Sequence, residues 1–475
     1  MKENIVGREQ EKDLLQLIYT SNQSEFVAVY GRRRVGKTFL IREYFENEIV
    51  FQVSGLANST TNDQIKNFYY SLKRYNRQIN KIPGDWIECF ELLIDYLEQL
   101  ENIKRKVIFL DELPWMDTTG SNFISALEHF WNSWASARHD IVLIVCGSAT
   151  SWMLNKLINN HGGLYGRLTH RILLSSFTLG ESKAFLQQKG ILFSDYEIAE
   201  TYMILGGIPY YLNLLDKRLS LAQNIDRLLF NPNGELYNEF YSLYQSLFRD
   251  SESYIKVVKS LNTKGYGLTR QEISELSGIK SGRPLTEVIN NLEACGFIRK
   301  YQNYGCSVRK VIYQLIDFYT LFYFRFITEC SFSRLNHWSN IQRTGAFYQW
   351  AGISFEMLSS LHIDQIKKKL GISGVATAIS SWRSHKNADH AGAQIDLVLD
   401  RGDNTINICE MKFSEGEFEI TGDYEKNLRN KINCFLNETK SRKSLQLTMV
   451  TTYGLHKNQY SGIAQNEVLL SDLFL

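Results

Sequence analysis

The chain has 475 residues, of which 44% are hydrophobic, and its 53 basic side chains nearly balance its 51 acidic ones. This length predicts about three domains with cores of their own, and the balanced charge means that any contact with a nucleic acid must depend on local basic patches. The seven cysteines include no CxxC pair and the N-terminus has no apolar signal region, which argues against a disulfide framework, a zinc site and a membrane protein and favours a cytoplasmic one.

A Walker A loop directly follows the first apolar strand, which is predicted at residues 26–30. Residues 31–38 read GRRRVGKT and fit the pattern GxxxxGK[ST]. Glycines let backbone N–H groups surround phosphate oxygens, and a helix that begins at the loop points its positive end at the same anion. Lys37 is expected to reach the β- and γ-phosphates of ATP, and Thr38 to bind Mg²⁺. The predicted ATP contacts of the loop are Gly31, Arg34, Val35, Gly36, Lys37, Thr38 and Phe39.

Four further apolar runs, at 49–53, 107–110, 141–146 and 172–174, predict buried parallel strands. Helical patterns separate them, which indicates an α/β sheet covered on both faces. The run at 107–110 ends in Asp111 and Glu112, as a Walker B segment does. Because ligands of open α/β sheets bind at this edge, Asp111 is expected to bind ATP and the Mg²⁺ ion. Glu112 is expected to orient or deprotonate the attacking water.

Two polar residues after the strand at 141–146 have two readings each. Ser148 could donate its hydroxyl to the γ-phosphate, or it could cap the next helix. Arg167, in a glycine-flanked segment, could stabilise the charge on the transferring phosphoryl group as an arginine finger, or it could be an ordinary surface arginine. The sequence leaves these alternatives open.

The order of these segments resembles the archaeal-type P-loop ATPases, an AAA+/STAND-like group. The resemblance rests on residues 6–9 (VGRE), the GRRRVGKT loop, the LDE of the Walker B segment, Gly147-Ser148, LYGR at 164–167 and GGIPYYL at 206–212. It implies an ATPase with an AAA+-like parallel sheet, in which Arg8 lies near the adenine and GGIPYYL lies in a helical lid. That segment contains no arginine, so no second sensor arginine is assigned.

A winged helix-turn-helix is predicted next. Helical patterns at 252–261, 269–278 and 284–296 precede two short strands at 297–298 and 311–313, which is the layout of that fold. Arg283, Asn290 and Asn291 favour a groove-reading helix, whereas Glu287 and Glu293 oppose a phosphate-rich partner. DNA binding and a packing connector both remain open.

Two carboxylates and a lysine lie on successive predicted strands near the C-terminus. Asp396 interrupts the apolar run at 395–399, and Glu410 and Lys412 lie in the run at 406–413. Strand alternation places Glu410 and Lys412 on the same face, and antiparallel pairing could bring Asp396 near them. Asp396 and Glu410 are the oxygen ligands that Mg²⁺ or Mn²⁺ would take, and Lys412 would position or help to deprotonate an attacking water.

This D-x13-ExK spacing resembles the PD-(D/E)XK phosphodiesterase core. The resemblance implies a restriction-endonuclease-like α/β domain in which Glu356, on a preceding helix, joins Asp396, Glu410 and Lys412 in the catalytic set. Basic residues that could contact phosphates are Lys367, Lys368, Lys369, Arg383, His385 and Lys386. The alternative is an ion-paired pair of strands in a binding module.

The sequence therefore predicts an ATPase domain with a helical lid at 1–240, a winged helix at 241–330 and a nuclease-like domain at 331–475. The expected function is ATP hydrolysis on the same chain as metal-dependent cleavage of nucleic acid, with DNA favoured over RNA as the partner. The alternative is a regulatory DNA-binding or STAND-type signalling ATPase whose nuclease-like domain only binds. A homo-oligomer remains open.

Overall fold

A computed structural model describes residues 4–148, 150–158, 166–248, 250–305, 311–328, 337–384 and 392–475. Internal packing divides the chain into two compact units. The first contains Met1–Ser176 with Ala294–Gly296, and the second contains Phe177–Glu293 with Phe297–Leu475. This division falls earlier than the expected boundary at 240, so the three-domain division remains a prediction. Within the described ranges, no helix is both long enough and apolar enough to cross a bilayer.

The first unit is built on a five-stranded parallel sheet in the order β2-β3-β4-β1-β5. Its strands are β1 Glu25–Tyr30, β2 Ile49–Ser54, β3 Lys106–Asp111, β4 Ile141–Gly147 and β5 His170–Leu173. The five predicted strands are thus confirmed, with their ends shifted by one or two residues. The first strand, β1, lies inside the sheet, between β4 and β5. The order of the strands in the sheet therefore departs from their order in the chain at β1. The loops after such a switch point are where open α/β sheets bind ligands.

Helices cover this sheet. They are α1 Glu9–Thr20, α2 Lys37–Phe45, α3 Thr61–Tyr75, α4 Trp86–Glu98, α5 Leu113–Met116, α6 Phe123–His129 and α7 Thr150–Met153, with π-helical turns at Phe130–Trp134 and Leu154–Ile158 and a 3-10 turn at Ala135–Ala137. The β3 and β4 strands are buried along their whole length. Aromatic side chains such as Phe68, Phe90 and Phe123 fill the space between helices and sheet. The covered sheet explains why these strands are continuous apolar runs without alternation.

Helices make up much of the second unit. They are α8 Leu179–Gln188, α9 Asp195–Leu205, α10 Pro209–Asn213, α11 Leu221–Ile225, α12 Glu239–Leu247, α13 Ser251–Leu261, α14 Arg270–Ser277, α15 Arg283–Ala294, α16 Phe318–Phe322, α17 His337–Ile341, α18 Gly345–Leu361, α19 Ile363–Lys369 and α20 Gly422–Thr439, with π-helical turns at Asp226–Phe230 and Tyr323–Ile327 and 3-10 turns at Ser461–Ile463 and Leu470–Phe474. The predicted lid segment lies between α9 and α10. Gly206 and Gly207 have φ angles of 72° and 64° there, so they end α9 as left-handed residues, and Pro209 opens α10.

The helices of the predicted lid segment pack against later helices of the same unit. The Tyr202 ring of α9 contacts the Phe318 ring of α16 at a centroid distance of 5.6 Å. The backbone N–H of Leu179 donates to His362 Nε2 over 3.1 Å. These contacts group the predicted lid with the C-terminal part of the chain. Sequence patterns report local periodicity and therefore did not predict this grouping.

Three helices and a small sheet lie where the winged helix is predicted. The strands β6 Leu268–Thr269, β7 Ile298–Gln302 and β8 Val311–Leu315 pair antiparallel in the order β6-β8-β7. A capping box formed by Thr269 and Glu272 begins α14. One expected groove-reading residue is wrong: Asn291 is buried and donates to the Tyr254 hydroxyl over 2.6 Å. Its amide serves the helix packing because it faces the apolar side of α15.

A second five-stranded sheet, in the order β13-β12-β11-β10-β9, forms the C-terminal part of this unit. The strands are β9 Thr377–Ser384, β10 Ala393–Arg401, β11 Thr405–Lys412, β12 Ser444–Thr451 and β13 Asn466–Leu469. β9, β10 and β11 pair antiparallel, whereas β12 and β13 are parallel to β11. Helix α20 connects β11 to β12, and its Leu428 and Phe435 pack on Ile408 and Met449 of the sheet.

One buried acid of the second unit makes stability depend on pH. Glu200 on α9 accepts a hydrogen bond from Gln342 Nε2 over 2.7 Å, yet burial raises the pKa of its carboxyl to about 7. A folded-state pKa above the unfolded one means that stability is fully present below about pH 4.5 and is lost as the pH rises through about 7. We expect Glu200→Gln to be more stable than the wild type at pH 8 by about 3 kcal/mol and nearly equal at pH 5. Urea unfolding at the two pH values measures this, and a difference that does not change with pH contradicts it.

Candidate functional site

The Walker A loop has the backbone that its glycines predict. Gly36, which precedes α2, has a φ of 91°, and Gly31 has a φ of 143°. A Cβ on Gly31 would lie 2.3 Å from the Leu174 carbonyl oxygen, so only glycine fits there. Lys37 is buried, and its Nζ donates to the carbonyl oxygens of Gly31 and Arg32 over 3.0 and 2.8 Å. The loop thus curls around the ammonium group of its own lysine.

The two residues predicted to hold Mg²⁺ lie in contact. The Thr38 hydroxyl, on the first turn of α2, donates to both oxygens of Asp111, over 3.1 and 3.0 Å. The Ser54 hydroxyl, at the end of β2, donates to Asp111 Oδ2 over 3.3 Å. Burial raises the pKa of the Asp111 carboxyl, and the negative charge of Glu112 raises it further. An alcohol and a carboxylate oxygen are ligands that Mg²⁺ accepts, so the pair fits this ion.

Glu112 and Ser148 form a second polar contact at this sheet edge. Glu112 directly follows β3 and adopts a left-handed φ of 47°. The Ser148 hydroxyl, just after β4, donates to the Glu112 carboxylate, with oxygen–oxygen distances of 2.6 and 2.8 Å. Neither predicted role of Ser148, as a phosphate contact or a helix cap, included this partner. Ser148 therefore positions the carboxylate that is expected to act on water.

Other residues predicted to act at this site have different surroundings. Arg8 is buried, and its guanidinium donates to the carbonyl oxygens of Ser175 and Val35 over 2.6 and 3.4 Å, which joins the N-terminal segment to the loop. Val35 is buried, whereas Phe39 is 51% exposed. Arg34 has a left-handed φ of 71°. Arg167 lies exposed on the turn before β5, where its predicted role stays a prediction.

The C-terminal carboxylates centre on Glu410. This residue of β11 is 4% exposed and accepts hydrogen bonds from Lys431 Nζ and the Tyr424 hydroxyl, each over 2.7 Å. Lys412 Nζ lies 3.1 Å from Glu410 Oε1, which confirms that the two residues share one face of the strand. Burial acts to raise the pKa of the Glu410 carboxyl, but the two lysines outweigh it and the net shift is downward.

Asp396 lies at a β-bulge in β10. The pairing with β9 shifts between Ile395 and Val398, so β10 has one extra residue at this point. The register with β11 pairs Leu397 with Cys409, which are the chain neighbours of Asp396 and Glu410. Burial raises the pKa of the Asp396 carboxyl, the charge of Glu410 raises it further, and a hydrogen bond from Gln394 lowers it. A bulge re-aims a side chain, which suits a functional carboxylate.

Glu356 joins this cluster from α18. Burial raises the pKa of its carboxyl to about 8, and the charges of Asp396 and Glu410 contribute, partly offset by Lys412 and Lys431. Three acids and two lysines therefore act on one another's charge, with Glu410 buried and the other four side chains partly exposed. In the ranges that the structure describes, no three His, Cys, Asp or Glu side chains are grouped closely enough to hold a metal ion among them. Asp396 and Glu410, the predicted pair, supply carboxylate oxygens of the right chemistry for Mg²⁺ or Mn²⁺.

Sequence reasoning missed Tyr424 and assigned no partner to Lys431. Both contact Glu410 from α20, and they are seven residues apart, so they lie on the same helix face two turns apart. That spacing could have marked them as a pair, but nothing local shows that α20 crosses over β11. The predicted phosphate contacts His385 and Lys386 lie outside the described residues.

The region that contains the Walker A loop matches a known protein family. Residues 5–215 match a family model described as an ATPase domain predominantly from Archaea. Over these residues the chain belongs to that ATPase family. An uncharacterized protein of Methanocaldococcus jannaschii is 27% identical over 420 residues, which cover 86% of this chain and 88% of the relative. An uncharacterized ATP-binding protein of the same archaeon is 39% identical over 49 residues, or 10% of this chain and 83% of that protein.

Two solved structures resemble this chain. A Walker-type ATPase of Pyrococcus abyssi has a TM-score of 0.48 and 18% identity, over 67% of this chain and 96% of its own. The ORC2 protein of Aeropyrum pernix has a TM-score of 0.41 and 13% identity, over 76% of this chain and 97% of its own.

Removal of the Ser148 hydroxyl should slow the ATPase domain. Without that donor, the Glu112 carboxylate loses the hydrogen bond that orients it. We expect Ser148→Ala to reduce kcat for ATP by roughly tenfold, the loss of one hydrogen bond to a charged group, with little change in KM. Ser148→Thr keeps the hydroxyl and should retain most of the activity. A steady-state assay of phosphate release checks both variants, and equal kcat in wild type and Ser148→Ala would contradict the role.

Proposed function

We propose that this chain hydrolyses ATP through its archaeal-type ATPase domain and cuts phosphodiester bonds of nucleic acid at the Glu356–Asp396–Glu410–Lys412 cluster. The observation that carries the second part is the grouping of three carboxyl groups around two lysines. Asp396 and Glu410 lie on the sheet, Glu356 lies on α18, and Lys412 and Lys431 both pair with the buried Glu410. Burying charges without partners is costly, and strongly perturbed carboxyl pKa values are typical of functional sites. The mixed sheet, with α18 before it and α20 after β11, supports the predicted restriction-endonuclease-like domain.

At the ATP site, the chain's own groups divide the work. The loop backbone and Lys37 hold the phosphates, and Glu112, oriented by Ser148, accepts a proton from water. Thr38 and Asp111 would hold Mg²⁺, which supplies charge neutralisation on the phosphates when it is bound.

At the C-terminal cluster, Asp396 and Glu410 would hold Mg²⁺ or Mn²⁺, which supplies positive charge beside the scissile phosphate. Lys412 lies on the same strand face as Glu410 and can position the attacking water. Lys431 holds Glu410 in place from α20, and Tyr424 donates to the same carboxylate. Glu356 completes the acidic side of the cluster.

The helices and sheet at 251–315 support the predicted winged helix. Arg283 and Asn290 remain exposed on α15, as a groove-reading helix requires, but Glu287 is exposed beside them. Lys300 on β7, a strand of the predicted wing, has its Nζ 3.1 Å from a Glu293 carboxylate oxygen, so its charge is already paired. Two exposed side chains of α15 thus favour DNA contact, and the exposed Glu287 and the paired Lys300 oppose it.

A binding-only C-terminal domain is the second candidate. Glu410 already forms ion pairs with two lysines and accepts a hydrogen bond from Tyr424, an arrangement that an ion-paired strand pair also has. A cleavage assay separates the two functions. The wild-type chain is incubated with single- and double-stranded DNA and RNA, with Mg²⁺, with Mn²⁺ or with EDTA. We expect cleavage of at least one substrate that needs the metal ion. Binding without metal-dependent cleavage of any substrate would favour the second candidate.

A further inference from the structure

A strongly basic groove lies along α3 of the first unit, apart from the residues assigned to ATP. Residues 64–84 contain five basic side chains and no acidic one, although the whole chain is balanced. Four of the five, Lys66, Lys73, Arg74 and Arg77, line an open groove of about 1020 Å³. Such a local excess of one sign creates a field that the net charge of +2 does not show.

The cations of this basic groove are available to a ligand. Lys73 and Arg74 follow Lys66 by seven and eight residues, about two helical turns, which places both near the face of α3 that carries Lys66. Lys66, Arg74 and Arg77 are exposed, and within the described ranges the four basic residues make no ion pair. Lys73 Nζ donates to the Tyr69 hydroxyl over 3.1 Å, which leaves its charge unneutralised.

One acidic side chain, Asp63, also lines the groove, but it has a structural task. Its carboxylate accepts hydrogen bonds from the backbone N–H and the hydroxyl of Thr60, over 3.2 and 2.6 Å, and closes the capping box of α3. These hydrogen bonds lower the pKa of the Asp63 carboxyl, and Lys66, one turn further along, lowers it further. The groove therefore keeps a net positive charge.

An exposed aromatic ring lies among the cations. Tyr70 is 54% exposed and is four residues from both Lys66 and Arg74, so it lies between them on the helix face. An exposed ring next to guanidinium and ammonium groups can stack on a nucleobase while the cations contact the backbone phosphates. In duplex DNA the bases are already stacked on one another, so a ring of this kind favours an unpaired strand.

The walls of the groove are held by hydrogen bonds. Gln64 Oε1 accepts from the Leu56 N–H over 3.0 Å, and Gln64 Nε2 donates to the Leu56 carbonyl over 2.6 Å. Asn67 Nδ2 donates to the Ser54 carbonyl over 2.8 Å. These bonds fix α3 to the segment that follows β2, so the groove does not have to form when a ligand arrives.

We propose that this basic groove binds single-stranded nucleic acid, with phosphates on Lys66, Arg74 and Arg77 and a base stacked on Tyr70. The class of partner rests on the proposed nuclease function, but binding here needs neither ATP nor cleavage. An acidic protein would satisfy the cations without using the exposed ring, and duplex DNA would not offer a base to Tyr70. Both are outcomes of the test below.

The test measures binding of the full chain to fluorescent oligothymidylate and oligouridylate by anisotropy, in EDTA and without ATP, over a range of salt concentrations. A duplex of the same length and polyglutamate serve as competitors. Arg74→Ala with Arg77→Ala is compared with Lys104→Ala with Arg171→Ala, a matched pair of exposed basic residues in the same unit that removes the same charge. We expect the groove variant to weaken binding at least tenfold and to reduce the salt slope by about 1.4, from about 0.7 per lost phosphate contact. The matched pair should bind nearly as the wild type does.

Tyr70→Ala tests the base contact. We expect it to weaken binding roughly tenfold without a change of salt slope, whereas Tyr70→Phe keeps the ring and should bind as the wild type does. Equal loss in both double variants, no loss in the groove variant, no effect of Tyr70→Ala, or competition by duplex or polyglutamate as strong as by the single strand would each overturn the proposal. Groove binding without metal-dependent cleavage would instead contradict the nuclease and leave the groove assignment intact.

Discussion

Lys37→Ala is expected to abolish ATP turnover, with kcat reduced by at least about 100-fold. The loop curls around this ammonium group, and its charge is the one that the Walker A pattern assigns to the β- and γ-phosphates. Electrostatic groups aimed at a transferring phosphoryl group contribute several kcal/mol to the rate. The assay is steady-state phosphate release, together with the increase of Tm that ATP and Mg²⁺ give the wild type, which the variant should lose. Circular dichroism verifies that the variant is folded.

Lys12→Ala is the matched control, because Lys12 lies on α1 in the same unit and pairs with Glu9. Turnover by Lys37→Ala within a few-fold of the wild type would contradict the role of the loop. The same variant tests the coupling of the two activities. If ATP controls cleavage, the response of cleavage to ATP should disappear in Lys37→Ala, and a cleavage rate that is the same with and without ATP in both proteins would exclude such control.

Asp396→Asn is expected to abolish nucleic-acid cleavage, with a loss of at least about 100-fold, while ATP turnover stays unchanged. The amide has the same shape but removes one of the two negative charges that would hold the metal ion. The substitution also removes a charge that raises the pKa of Glu356, so that pKa should fall from about 8. Cleavage is measured with Mg²⁺ and Mn²⁺, and metal binding by calorimetry.

Asp400→Asn is the matched control on the same strand. Asp400 forms an ion pair with Lys443 and has no assigned role in cleavage, so its amide variant should cut as the wild type does. Cleavage that is equal in Asp396→Asn and the wild type would remove Asp396 from the active site. Equal loss in both variants would mean that the strand, and not the carboxylate, is needed.

The strands and loops of the first unit were predictable because their signals are local. Each buried parallel strand is a continuous apolar run, and the glycines of the Walker A loop mark the turn. The proximity of Thr38 and Asp111 could be predicted because the carboxyl ends of parallel strands meet at one edge of the sheet. The partner of Ser148 could not, since a hydroxyl fits many acceptors and the left-handed backbone of Glu112 leaves no signal in the sequence.

The C-terminal cluster was predictable only in part. The alternation of β11 predicted that Glu410 and Lys412 share a face, and their ion pair confirms it. The bulge at Asp396 adds one residue to a strand without any glycine or proline to announce it. Lys431 and Tyr424 reach Glu410 through a helix crossing, a long-range feature. The prediction for Asn291 was wrong because an amide in an amphipathic helix can serve a ligand or the interior. Its partner is the Tyr254 hydroxyl, inside the same unit.

The Arg8 guanidinium has a consequence for the order of folding. It joins a residue near the start of the chain to the Ser175 carbonyl, 167 positions later, while β1 is flanked by two strands that are synthesised after it. Contacts this distant in sequence form late because closing such long loops costs entropy. During synthesis the phosphate loop therefore emerges early, whereas β5 and Ser175, which contact β1 and Arg8, emerge about 140 residues later. A nascent chain that stops before β5 would contain the loop without these contacts.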